Sequence, residues 1–154
     1  MNRRRARRRG EDGSALVELA WLGILLLVPL LWIVMSVFEV QRGAFGVSGA
    51  ARAAGRAYAL APTDAEGYHR AQAAARQALD DQGVHGVPLT VRISCTPYPH
   101  DCHAGTSVIT VVVASRVDLP LLPRFLGGGA PSFALDATHT MPIGQFQEIA
   151  RAAP

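Results

Sequence analysis

The densest group of chemically capable side chains lies between positions 95 and 103, where Cys95, His100, Asp101, Cys102 and His103 fall within one short stretch and the two cysteines flank Thr96 to Asp101. Thiol, imidazole and carboxylate are all metal-ligand types, so a metal site is one reading. The group lacks the paired CxxC or HxxxH spacing of zinc modules. Two cysteines at the ends of a turn in an oxidising compartment are most economically read as a disulfide, contributing roughly 2 to 3 kcal/mol for so short a loop, and thiols joined in that way cannot ligate. Elsewhere, Asp80 and Asp81 are adjacent carboxylates of the kind used in acid–base work, but they fall near a helix end and read as solvated. His69 and His85 are isolated, and His139 has inward strand parity; each reads as a packed or solvated imidazole. There is no Gly-rich phosphate loop, no GxSxG and no HExxH. The expectation is a non-enzymatic chain with no cofactor and no metal.

A second group sits at the edge of an apolar segment. Gly13, Ser14, Ala15, Leu16, Val17 and Glu18 lead into Leu19 to Phe38, twenty residues without a charge. As a helix rising 1.5 Å per residue this run is roughly 30 Å long, the thickness of bilayer hydrocarbon. A domain this small has too little core to surround a helix that is apolar on all sides. A carboxylate at such a boundary is costly unless paired, which makes Glu18 a functional candidate; the plain alternative is a solvated residue marking the membrane edge.

Charge distribution fixes the expected orientation. All fifteen basic residues are arginines, and six of them (Arg3, Arg4, Arg5, Arg7, Arg8, Arg9) precede the apolar run. Residues 1 to 13 carry +4 (6 Arg against 2 acids), and residues 14 to 154 carry −1 (9 Arg against 10 acids). The excess of arginine before the span predicts a cytoplasmic N-terminus and an extracytoplasmic C-terminal domain, single-pass in the plasma or inner membrane. Because the basic charge is confined to the tip, nucleic acid is not an expected partner. A secretory signal peptide is the rival reading of this segment, although its apolar region normally spans about 7 to 15 residues.

The boundary from Gly13 to Glu18 resembles the processing site of type IV prepilins: a basic leader, a Gly before the scissile bond, and Glu five residues later at the start of the apolar stretch. The resemblance implies cleavage between Gly13 and Ser14 by a prepilin peptidase. The new α-ammonium of Ser14 would then pair with Glu18 of its own helix or of a neighbour entering an assembly.

Beyond Phe38 the chain stays helical in character up to Pro62. Small residues recur as rows, Gly46, Ala50, Ala54 and Ala53, Ala57, Ala61, of the kind that lets helices approach closely. Gly43, Gly46, Gly49 and Gly55 each cost roughly 1 kcal/mol of helix propensity relative to Ala, so this helix needs a partner, either other subunits or its own domain. Thr63, Asp64, Ala65 and Glu66 form a capping-box pattern that starts a second helix. Its apolar stripe is Tyr68, Ala71, Ala75, Ala78 and Leu79, and Gly83 ends it. The period then changes to two: Val87 to Cys95, Ser107 to Leu119 and Phe133 to Met141 read as strands, with Phe133, Leu135, Ala137 and Met141 inward on the last. Pro120 to Pro131 reads as a loop. The expected class is α+β: a long N-terminal transmembrane helix, a second amphipathic helix and a small three-stranded antiparallel sheet. The expected organisation is a leader at 1–13, the transmembrane helix with its extension at 14–61, and a domain at 62–154.

With AARAAGRAYA from Ala50 to Ala59 and ALDATHTMPI from Ala134 to Ile143 added to the boundary motif, the chain resembles the TadE-like family, pseudopilin-like proteins of tight-adherence (Flp) pilus systems. That resemblance implies a minor pilin or pilus-assembly subunit, with prepilin peptidase, other pilins or assembly membrane proteins, and the lipid bilayer as partners. The sequence departs from the family at Trp21 and Gly23, which interrupt the usual aliphatic run, and at Gly43, Gly46 and Gly49, where pilins normally continue the helix. The alternative is a single-span anchored extracytoplasmic binding or scaffold domain that is not assembled into a pilus.

Overall fold

A computed structural model describes residues 12–118 and 132–144; the arginine tip and the expected loop Pro120 to Pro131 lie outside the described residues. The elements run α1 (Asp12–Ala59), α2 (Asp64–Asp81), β1 (Leu89–Thr96), β2 (Val108–Asp118) and β3 (Ser132–Pro142), the α+β arrangement expected. Contacts divide the chain into two units, Met1–Val37 and Phe38–Pro154. The sequence reading placed its boundary at 61/62. The contacts instead assign the extension from Phe38 to Ala59 to the folded unit, because its small residues pack there.

In the first unit α1 is one helix long and apolar enough to cross a membrane, and none of its most apolar window is buried. Leu19, Trp21, Leu25 and Leu31 are all more than half exposed, so the apolar surface runs around the helix rather than along one stripe. Pro29 is accommodated inside it. The one hydroxyl late in the run, Ser36, donates to the carbonyl of Trp32 at 2.8 Å, which satisfies it without water.

In the second unit α1 and α2 together supply one layer, and the sheet, in order β1-β2-β3 and antiparallel throughout, supplies the other. Of the two partners the sequence leaves open for the α1 extension, other subunits or its own domain, the structure shows the second. The core draws Val47, Ala50, Ala54 and Tyr58 from α1 beside Ala71, Ala75 and Leu79 from α2, against Val91, Ile109, Val111 and Val113 of the sheet. The glycines explain how α1 fits. A Cβ on Gly43 would stand 2.5 Å from Cγ2 of Val117 and 2.6 Å from Cδ1 of Leu135, and one on Gly55 would stand 3.2 Å from both His139 Cδ2 and Met141 Sδ. At Gly43 a side chain would force the strands to shift, so glycine lets the helix backbone lie this close to β2 and β3, and at Gly55 the fit is tight.

Local signals set the ends of α2. Thr63 caps it with Oγ1 accepting from the N–H of Glu66 at 3.3 Å. At the other end Gly83 (φ 73°) takes the left-handed conformation, its N–H reaching the carbonyl of Asp80 and that of Val84 the carbonyl of Leu79. This is a Schellman closure, with Leu79 and Val84 both buried beside it. Strand parity matches the burial of β1 and β2. On β3, Leu135, Ala137, His139 and Met141 are half-buried, but Phe133 is 50 % exposed despite its inward parity.

Candidate functional site

At the start of α1 the helix sets Ser14 and Glu18 one turn apart, and Ser14 Oγ donates to Glu18 Oε1 at 3.2 Å. Helical i, i+4 geometry alone brings them together. Gly13 lies in the first turn of α1, and the leader before Asp12 lies outside the described residues.

Cys95 and Cys102 are joined in a disulfide with their Cα atoms 5.3 Å apart. Both thiols are consumed, which removes the sulfurs from the alternative metal site. Cys95 is the seventh residue of β1 and points into the core, and the bond pins the loop beyond it back onto that strand. The covalent link shortens the free segment of the loop to a few residues, which limits the conformations open to the unfolded chain.

The next residue, His103, is the centre of a contact network that sequence reasoning did not find. Its side chain is only 12 % exposed. Nδ1 lies 2.6 Å from Oδ1 of Asp64 and Nε2 lies 3.0 Å from the carbonyl oxygen of Tyr58, while the ring stacks on that of Tyr58 with centroids 5.2 Å apart. The N–H of Cys102 also points at Asp64, at 3.5 Å. A carboxylate and a carbonyl both accept, so the imidazole serves the two together when each nitrogen carries a proton. Asp64 is the first residue of α2 and Tyr58 lies in the last turn of α1. The network therefore ties the disulfide loop to both helices at the point where they meet. Burial first, then the negative charge of Asp64, push the Tyr58 phenol above its ordinary range. Because Nε2 is taken by a backbone carbonyl, His103 is placed as a structural tie and not as a base facing solvent. The only signals available in the sequence were a His following a Cys and an acid at a helix start, neither of which predicts a partner 39 residues away.

The remaining expected residues are spread out. His85 Nδ1 lies 3.2 Å from Oδ1 of Asp80 on the surface, and Asp81 accepts from Gln77 Nε2 at 2.8 Å. The two carboxylates thus have separate partners and do not form a pair, where the sequence reading expected none. His69 meets the edge of the Tyr68 ring, and His139 lies against Gly55. Comparison with family models, with curated proteins and with solved structures found no match.

Proposed function

We propose that this chain is a non-enzymatic, pseudopilin-like subunit of a tight-adherence pilus or a related secretion apparatus, anchored by α1 with its N-terminus in the cytoplasm and its disulfide-bonded unit outside. It is the substrate of a prepilin peptidase that cuts between Gly13 and Ser14, and it works with other pilins or assembly proteins in the bilayer. The observation that carries this reading is the start of the exposed apolar helix, where Ser14 lies within hydrogen-bond reach of Glu18. After cleavage an α-ammonium on Ser14 would share that neighbourhood, so processing would create a cation beside Glu18 at the start of the apolar run. The disulfide supports an oxidising compartment for the second unit.

N-terminal sequencing of membrane fractions from cells with and without the peptidase tests the proposal. The expected start is Ser14 in the first and the unprocessed end in the second; an unprocessed start in both overturns it.

One observation favours the second reading, an anchored ectodomain that does not enter a filament. Gly43, Gly46 and Gly55, which could have served lateral packing between subunits, face Val117, Leu79 and Met141 of the same chain. Glu18→Ala separates the two readings: an assembly subunit loses piliation while still inserting in the membrane, and a free-standing ectodomain shows no pilus phenotype.

A further inference from the structure

Charge and space coincide on the face of the sheet turned away from the helices. The register sets Thr90, Ala114 and Asp136 in one row across the three strands, with Arg92 of β1 in the row to one side and Arg116 of β2 in the row to the other. Ala114 is short, so the row between the two arginines is low. A cavity of about 640 Å³ opens over it, lined by these five residues together with Pro88, Ser115, Ala134 and Leu135. Arg92, Arg116 and Asp136 are all exposed. Arg42 and Arg70 are paired with Glu39 and Glu66, but among the described residues neither Arg92 nor Arg116 has a carboxylate within 4.0 Å.

Two guanidinium groups on one concave face, with no carboxylate of the described residues within 4.0 Å, leave their N–H donors open to an anion from outside. The planar fork of arginine matches a carboxylate with two parallel hydrogen bonds. Asp136 on the third strand narrows the choice. It repels a uniformly anionic polymer and accepts N–H donors, so the matching ligand alternates carboxylates with donors across the roughly 10 Å width of three strands. A peptide does this with its side chains and its backbone.

We propose that this face binds an acidic segment of a protein partner, with Arg92 and Arg116 taking side-chain carboxylates and Asp136 taking N–H groups of the same segment. The site is independent of the pilus reading, since it uses no residue of the membrane helix.

The test uses the full-length protein in detergent micelles and a fluorescent peptide of alternating Glu and Gly, read by anisotropy. The peptide with Gln in place of Glu is the control, and polyglucuronate and inorganic phosphate are the competing probes. The Glu peptide is expected to bind and the Gln peptide to fail. Arg92→Gln and Arg116→Gln should each weaken binding about tenfold without changing the melting curve, because both side chains are exposed. Equal binding of the Gln peptide, or full affinity in the double variant, overturns the proposal. So does tighter binding of polyglucuronate or phosphate than of the Glu peptide, which would assign the face to a polyanion.

Discussion

Asp64 and His103 lie 39 residues apart in sequence and 2.6 Å apart in space. Asp64 does two jobs from the first position of α2: it places a negative charge at the helix N-terminus, where the dipole favours it, and it receives the imidazole that follows the disulfide.

Cutting that contact should loosen the loop more than the helix. His103→Ala or Asp64→Asn is expected to cost about 1 to 2 kcal/mol in chemical denaturation, and the double variant about as much as the worse single one. Additive losses in the cycle would mean that the two side chains stabilise the fold separately. Hydrogen exchange should rise first at the amide of Cys102, which points at Asp64.

Tyr58 makes the folded unit sensitive to high pH. Its phenol is raised above the ordinary value of 10.0 by burial and by Asp64, so the folded state holds the proton more tightly than the unfolded chain does. The contribution is complete below the unfolded value and is lost as pH climbs above it, towards the higher folded value. Denaturation midpoints should therefore fall from about pH 10 upward, and the fall should be shallower in Tyr58→Phe. An identical slope in the variant would place the cause elsewhere.

The glycines of α1 should divide by what lies beside them. Gly43→Ala puts a methyl group 2.5 Å from Val117, and the overpacking, about 1 to 3 kcal/mol, is expected to exceed the gain of roughly 1 kcal/mol in helix propensity. Gly49 has nothing within 4 Å of a Cβ, so Gly49→Ala keeps the gain and should raise the melting temperature. Thermal melts of the two variants side by side decide the matter, and equal shifts would contradict the close packing of α1 on β2.

The two alanine substitutions also mark the limit of what sequence could convey. Gly43 and Gly49 look alike in the chain, both reading as weak points in a helix. Their difference lies in Val117 and Leu135, which arrive from strands more than seventy residues away. The same holds for Phe133, whose parity is inward but which is half exposed at one end of β3, since parity assigns a face and says nothing of how far the cover extends.

The sequence by itself determined the apolar helix, the α+β class, the strand faces, the Thr63 cap, the Gly83 stop and the pairing of Cys95 with Cys102. Each of these depends on periodicity, backbone conformation or loop closure within a few residues, and the interactions responsible are local. Only the tertiary structure decided that the extension of α1 belongs to the folded unit, that Asp64 meets His103 and Tyr58, and that Arg92 and Arg116 stand on either side of a low row on the open face. Those outcomes depend on which segments come within a few ångströms of each other, and that is set by the packing of the whole unit.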